Sequence, residues 1–245
     1  MTHTASAHPV RRVWWLLPLA VLIGAAQAAS GDEAQALYRS GSFEQAYQLA
    51  VAVDSAAMQT LAAQAAIARG LYQGSSEEDT LTWLRRGETA AQAAVKLAPD
   101  SPPALLALAQ AKGELARRTG PLANVSVPGE VGGLLKKAVS LQPRNPDALV
   151  GLGLWNLELT DRGVGWLYGA SRGGALEMVA RGVALAPDRI DLRVQYASAL
   201  RIVGDVARAR EQLDKALAMT PGTALERYAQ DDAKAMLSQL GGGSG

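Results

Sequence analysis

The sequence lacks cysteine, and its only two histidines, His3 and His8, lie among the first eight residues. Catalytic centres of the Ser-His-Asp or Cys-His kind need these residue types, and so do zinc sites with nitrogen or sulfur ligands. Asp and Glu are plentiful, but no carboxylate pair stands out from the charges of ordinary helix surfaces. We therefore expect a protein that is not an enzyme and that holds no metal or cofactor.

Aromatic residues are also scarce, at 5% of the chain, and Phe43 is the only phenylalanine. Strand-like alternation is absent and alanine is abundant, which is typical of helices that pack through small residues. The net charge is +1, and no run of basic residues occurs. Such a near-neutral chain gives little support for binding to nucleic acid or anionic lipid.

Residues Met1–Ala28 have the pattern of a bacterial secretory signal peptide. Arg11 and Arg12 precede an apolar run of 14 residues, and Ala26-Gln27-Ala28 matches an A-x-A cleavage site. The run is short for a membrane span, so we predict cleavage after Ala28 and no stable span afterwards. The predicted location is periplasmic or secreted, and the alternative is a leader retained as an N-terminal anchor. The last residues, 241–245, are predicted to be a flexible glycine-rich tail.

The clearest repeating unit is Ile190–Thr223. Apolar residues at helical spacing predict one helix over 190–202 and a second over 206–219. Gly204 can end the first helix, and Asp205 can cap the second. Pro221 then stops the second helix because it has no amide hydrogen.

The same unit occurs upstream, since related strings end at Pro99, Pro143, Pro187 and Pro221. The first three prolines are 44 residues apart and the last gap is 34. The unit resembles the tetratricopeptide repeat (TPR), a helix–turn–helix of about 34 residues. The resemblance implies an all-α fold, a right-handed α-solenoid of about five hairpins over residues 29–240, ending in a capping helix. The ten extra residues predict lengthened inter-helix loops at 72–79, 119–129 and 161–171.

In this repeat family the first helix of each hairpin lines the concave face. The resemblance therefore implies a groove for a protein or peptide partner, lined by apolar residues and a few charges. The implied partner-binding residues are Arg69, Leu106, Gln110, Glu114, Val150, Leu154, Glu158, Val194, Ser198 and Arg201. The alternative for each aliphatic residue is burial between neighbouring hairpins.

Trp166 and Tyr168 lie in a glycine-rich stretch between two predicted helices. Such aromatic residues can anchor a ligand or a partner, or they can fold back and fix the loop. The sequence thus predicts a non-enzymatic, exported scaffold that binds a protein or peptide in the cell envelope. The alternative is a transporter-accessory protein whose long loops enclose a small molecule near these two residues.

Overall fold

The computed structural model describes residues 30–120 and 125–241, and every regular element in these ranges is helical. The predicted signal peptide and most of the glycine-rich tail lie outside them. The helices are α1 (30–40), α2 (Phe43–Val51), α3 (Ala56–Gln73), α4 (Glu77–Leu97), α5 (Pro102–Thr119), α6 (Val127–Leu141), α7 (Pro146–Asp161), α8 (Gly165–Tyr168), α9 (Ala175–Leu185), α10 (Ile190–Ile202), α11 (Val206–Ala218) and α12 (Ala224–Gly241).

Apart from the short helix α8, the helices form successive hairpins that stack on one another. Within the stack α3 packs on α4, α5 on α6, α7 on α9, and α10 on α11. Each hairpin also contacts the next one, through pairs such as α4 with α5 and α7 with α10. This arrangement confirms the all-α, TPR-like fold. We call α1, α3, α5, α7 and α10 the A helices, since each is the first of its hairpin.

Helix starts follow the capping signals of the sequence. Ser55, Ser76, Asn145 and Asp205 each accept a hydrogen bond from a backbone amide in the first turn of the following helix. These amides have no partner within the helix, so a capping oxygen stabilises the helix end. The predicted turn between α10 and α11 is confirmed, with Gly204 at φ 85° and Asp205 as the cap.

Small residues bring the helices of a hairpin close together. The core is rich in fully buried alanines, and glycine occurs where two helices cross most tightly. A Cβ atom added at Gly182 of α9 would lie 2.7 Å from Val150 Cγ2 and 2.9 Å from the Pro146 carbonyl oxygen. Since real Cβ atoms do not approach so closely, α7 and α9 could not cross in this way with a larger residue there.

One predicted loop is wrong in position. The stretch 72–79 is not a lengthened loop, because α3 continues to Gln73 and α4 begins at Glu77. The extra residues of this hairpin instead lengthen its helices to 18 and 21 residues, against 13 and 13 for α10 and α11. Ser76 caps α4 at this point, and the Thr80 hydroxyl donates to the Gly70 carbonyl oxygen at 3.2 Å. The extra length is therefore helical and packed.

Helix α12 was predicted to cover the end of the stack, and it also reaches the first hairpin. Ala229 and Ala233 pack against α10 and α11, in the place that the next A helix would take. On another face of the same helix, Tyr228 stacks on Tyr72 of α3, with ring centroids 4.5 Å apart. Arg227 donates to the Ser40 carbonyl oxygen, 187 residues away in the sequence. The last helix thus joins the two ends of the stack.

Candidate functional site

The loop between α7 and α9 fixes one of the two predicted loop aromatics and exposes the other. The Tyr168 hydroxyl donates to the Val125 carbonyl oxygen at 2.9 Å, and its ring packs beside Leu135 and Trp155. Trp166 instead leaves 80% of its surface exposed. The fold-back interpretation therefore holds for Tyr168, whereas Trp166 faces solvent.

The backbone that carries Trp166 is held at both ends. Gly165 is buried, and an added Cβ would lie 2.7 Å from Thr160 Cγ2. Gly169 ends α8 at φ 66°, a conformation that costs glycine little. The Asn156 Oδ1 atom then accepts the Ser171 amide at 2.7 Å. Trp166 is therefore presented on a fixed support, which lowers the entropy cost of using it in binding.

Two further exposed apolar side chains belong to the same part of the surface as this loop. Leu167 exposes 53% of its surface, and Val125, which lies next to Tyr168 through the hydrogen bond above, exposes 67%. We call Val125, Trp166 and Leu167 the loop-edge patch. The Lys136 Nζ atom lies 3.5 Å from the Gly169 carbonyl oxygen, so the patch has positive charge at its rim. Exposed aromatic patches of this kind are typical of protein contact sites.

Two of the predicted groove residues are not available to a partner. Val150 is fully buried between α7, α9 and α10, and Val194 is 7% exposed in the cluster formed by α10, α11 and α12. An A helix packs against its own partner helix and against the neighbouring hairpins, so these positions face the core. For Val150 and Val194 the structure corrects the groove assignment in favour of burial between hairpins.

The other predicted groove residues are divided between packing and surface. Leu106 and Leu154 are partly buried against core clusters. Arg69 forms ion pairs with Asp79 at 3.2 Å and Glu44 at 3.6 Å, which ties it to α2 and α4. The remaining positions keep accessible surface; they are Gln110, Glu114, Glu158, Ser198 and Arg201.

Glu114 and Glu158 meet at a guanidinium group that the sequence did not single out. Arg117 pairs with Glu114 on its own helix and lies 3.9 Å from Glu158 of α7. Burial lowers the pKa of Arg117, but the two carboxylates, Glu114 first, outweigh it and raise the pKa above its usual value. Yet 46% of the Arg117 side chain is exposed. Arg117 therefore joins α5 to α7 at a position that stays accessible to water.

Arg189 has the same surroundings at the start of α10. It donates to Asp191 at 2.7 Å and to Asp147 of α7 at 2.8 Å, and 40% of its side chain is exposed. The hydrogen bond to Asp191 is the main reason that the pKa of Arg189 is raised, and burial opposes it. Arg189 therefore links two A helices by their first turns.

Two tyrosines connect the first hairpins to these charges. Burial is the main cause that raises the pKa of Tyr38, and Tyr72, Asp191 and Asp147 raise it further. Burial likewise raises the pKa of Tyr72 to about 12, followed by the charges of Asp232 and Glu114. Interactions between accessible charges are largely screened beyond about 10 Å. Tyr38 of α1 and Tyr72 of α3 therefore lie on the side of the stack that carries these charges.

Helix α12 adds to the same side of the stack, since Tyr228 stacks on Tyr72. Asp232 lies one turn after Tyr228, and burial, together with the neighbouring Asp231, raises its pKa. This side of the stack thus carries polar side chains from α1, α3, α5, α7, α12 and the start of α10, linked by ion pairs between α5 and α7 and between α10 and α7 and by the stack of Tyr72 on Tyr228. We call this set the inner wall; its members are Tyr38, Tyr72, Glu114, Arg117, Asp147, Glu158, Arg189, Asp191, Tyr228 and Asp232.

Sequence reasoning found Glu114 and Glu158 of the inner wall and missed the others. The repeat pattern could have pointed to Asp147 and Asp191, because each is the second residue of an A helix and they are 44 residues apart. Tyr228 and Asp232 carry no such signal, since the end-to-end contact depends on how the whole stack curves.

Neither a metal centre nor a membrane helix is found in residues 30–120 and 125–241. The described residues include no histidine or cysteine, so a metal ion would need carboxylate ligands. Among these residues, no three carboxylates lie close enough together to hold one ion. Within the same ranges no helix is both long and apolar enough to cross a membrane.

The stacked hairpins and the inner wall define a helical-repeat protein of the TPR type. Residues 31–241 match the family described as regulator of microtubule dynamics protein 1-3, and the chain belongs to that family. No curated protein matches it.

Solved structures with a similar fold include TTC0263, a thermophilic TPR protein of Thermus thermophilus. It has a TM-score of 0.62 and 18% sequence identity, and the match covers 85% of this chain and 99% of that chain. The MamA protein has a TM-score of 0.45 and 16% identity, covering 79% of this chain and 91% of that chain. The similarity to TTC0263 supports the TPR-like fold.

Proposed function

We propose that this chain is a non-enzymatic scaffold that binds a protein partner through the loop-edge patch. The observation that carries the proposal is Trp166, which is 80% exposed on a backbone that is fixed at both ends. Trp166 and Leu167 expose apolar surface to water, and a partner that covers them removes this surface from water, which is favourable. Centrally placed tryptophans of this kind dominate the binding free energy of many protein interfaces.

The fold and the family support a scaffold. TPR-like stacks present extended surfaces to other proteins, and the family description refers to regulation of microtubule dynamics, an activity that depends on protein contacts. The leader-like sequence of residues 1–28 supports a location in the bacterial cell envelope, and we include that location in the proposal.

The geometry favours the loop edge over the groove for a protein partner. Val150 and Val194 are buried, and α12 joins the two ends of the stack, so the concave side has no long open apolar strip among the described residues. The alternative of a small-molecule pocket enclosed by the long loops needs Trp166 to be covered, whereas it faces solvent.

The test is site-specific photo-crosslinking in intact cells. A photoreactive amino acid at Leu167 is expected to give one crosslinked protein, recovered in the envelope fraction. The matched control is Val206, an apolar residue of α11 that is 41% exposed and lies outside the patch. No adduct is expected there.

Substitution of the anchor completes the test. Trp166→Ser is expected to abolish the adduct at Leu167, and Val206→Ser is expected to leave it unchanged. Equal adducts from both positions, or an adduct that survives Trp166→Ser, would contradict the proposal. An adduct found only in the cytosolic fraction would contradict the envelope location alone.

A further inference from the structure

A small cavity at the surface of the first two hairpins contains two arginines. Its volume is about 320 Å³, at the lower end of the range of about 300–1,000 Å³ that is typical of pockets for small ligands. It is lined by Tyr47 of α2 and by Thr82, Arg85, Arg86 and Thr89 of α4. The four residues of α4 are spaced by three, one and three positions, so they share one face of that helix.

The two guanidinium groups at this cavity are exposed and have no anion to pair with. Among the described residues, the side chains of Arg85 and Arg86 make neither a hydrogen bond nor an ion pair. No residue that lines the cavity is acidic. The nearest carboxylate along α4, Glu88, is already paired with Lys112 at 3.3 Å. Two neighbouring cations repel each other, so an anion bound between them would lower the free energy of the site.

Aromatic rings hold one of these guanidinium groups in place. The Arg86 guanidinium lies over the ring of the buried Trp83, 4.4 Å from its centroid. The Tyr47 ring meets Trp83 edge to face, with the two centroids 5.4 Å apart. A guanidinium that stacks on a ring keeps the N–H groups at its edge free for an acceptor. Arg86 is therefore positioned before a ligand arrives, which lowers the entropy cost of binding.

Hydroxyl groups of the cavity add hydrogen-bond donors beside the cations. The Tyr47 and Thr82 hydroxyls make no hydrogen bond within the described part of the chain, so both can donate to a ligand. Together with the two arginines, they favour an anion that has several acceptor oxygens. A phosphate monoester carries about two negative charges at pH 7 and three terminal oxygens, which matches this set of donors. A carboxylate has a single charge and two oxygens, so it would leave part of the set unused.

We propose that this cavity binds a phosphate monoester. Arg85 and Arg86 bind the phosphate oxygens in charge-assisted hydrogen bonds, and the Tyr47 and Thr82 hydroxyls donate to the same group. The rest of the cavity accommodates a small organic group next to the Tyr47 ring. This site lies on α2 and α4, whereas Trp166 of the loop-edge patch lies between α7 and α9. The proposal therefore does not depend on the scaffold function.

The test is isothermal titration calorimetry of the full chain with phenyl phosphate, and with benzoate as the carboxylate of similar shape. Phenyl phosphate is expected to bind about tenfold more tightly than benzoate. Arg85→Gln and Arg86→Gln are each expected to weaken the binding of phenyl phosphate about tenfold, the usual effect of losing one charge-assisted hydrogen bond. The matched control is Arg144→Gln, which removes the same charge from an exposed arginine between α6 and α7 and is expected to leave the affinity unchanged.

A conservative variant separates geometry from charge. Arg86→Lys keeps the positive charge but loses the planar group that stacks on Trp83, so it is expected to weaken binding several-fold with unchanged circular dichroism. Unchanged binding in Arg86→Lys, or equal loss in Arg144→Gln, would overturn the proposal and show a general charge effect. Benzoate that binds as tightly as phenyl phosphate would overturn it in favour of a carboxylate ligand.

A vesicle experiment shows whether the phosphate monoester is soluble or part of a lipid. Phosphatidic acid is a lipid whose headgroup is a phosphate monoester. Sedimentation of the full chain with phosphatidylcholine vesicles that contain phosphatidic acid, lost in Arg86→Gln, would support the proposal and identify a lipid headgroup. Binding of phenyl phosphate without Arg86-dependent sedimentation would support it and identify a soluble ester. Binding in neither experiment would overturn it.

Discussion

At the scale of single residues, the contacts of neighbouring glycines decide whether a side chain can be tolerated. Gly132 and Gly133 follow one another in α6, but only Gly132 faces the next hairpin. A Cβ at Gly132 would lie 2.3 Å from Trp155 Cζ2, whereas a Cβ at Gly133 would have no neighbour within 4 Å. The indole N–H of Trp155 donates to the Pro128 carbonyl oxygen at 2.9 Å, which holds the ring in place.

These contacts predict opposite effects for the same substitution. Gly133→Ala is expected to raise the free energy of unfolding by about 0.5–1 kcal/mol, because alanine is the better helix former. Gly132→Ala is expected to lower it by about 1–3 kcal/mol through overpacking against Trp155. Urea unfolding of both variants measures the two values. The same sign for both would show that α6 and α7 are not packed as described.

At the scale of elements, the start of each A helix depends on the residue before it. Ser101 and Asn145 occupy the same position in successive repeats, each followed by a helix that begins with proline. The Asn145 side chain accepts the Ala148 amide at 3.0 Å, whereas the Ser101 side chain makes no capping bond. The two helices therefore begin alike in sequence but not in hydrogen bonding.

We expect Asn145→Ala to lower the free energy of unfolding by about 1 kcal/mol, the usual cost of losing an N-cap bond. Ser101→Ala is expected to change it by less than about 0.5 kcal/mol, as for ordinary surface substitutions. Thermal or urea unfolding distinguishes the two. If Ser101→Ala were as costly as Asn145→Ala, capping would not explain the start of α7.

At the scale of the whole molecule, the contact between α12 and the first hairpin holds the stack closed. Tyr228 stacks on Tyr72, lies 6.2 Å from the Phe43 ring centroid, and accepts a hydrogen bond from Gln73 at 3.3 Å. Tyr228 therefore joins α12 to side chains of both of the first two hairpins.

Tyr228→Ala is therefore expected to open the stack. The lost ring contacts lower the free energy of unfolding by about 1–3 kcal/mol and leave the two ends free to separate. Small-angle X-ray scattering is expected to show a larger radius of gyration, and hydrogen exchange to be faster in both α3 and α12. Lys234→Ala, on the exposed side of α12, is the control. An unchanged radius for Tyr228→Ala would show that the closure does not depend on this residue.

The sequence predicted the repeated hairpins well, but it did not predict the contact that joins the two ends of the stack. The 44-residue period and the proline stops predicted the hairpins, and α10 spans the predicted residues Ile190–Ile202. A 44-residue period does not show whether its ten extra residues form a longer loop or longer helices. For this reason the loop predicted at 72–79 is wrong. Burial of Val150 and Val194 depends on contacts between hairpins, and a register within one hairpin does not specify them.

The candidate site was also only partly predictable, because it depends on contacts between residues that are far apart in the sequence. Trp166 and Tyr168 were both recognised as loop aromatics, but their opposite exposures depend on the Val125 carbonyl oxygen, 43 residues from Tyr168. Glu114 and Glu158 followed from the repeat register. Asp232 did not, because the approach of α12 to α3 depends on how the whole stack curves.

The contact between α12 and the first hairpin also constrains when the protein can finish folding. Most hairpins join neighbouring segments and can form as soon as they are synthesised, whereas Arg227 and Ser40 meet across 187 residues. The closing contact cannot exist until nearly the whole chain has left the ribosome. Under the proposed export, a chain that is exported during or soon after synthesis reaches the translocation machinery before its two ends are joined. The inner wall is then assembled only after the chain has crossed the membrane.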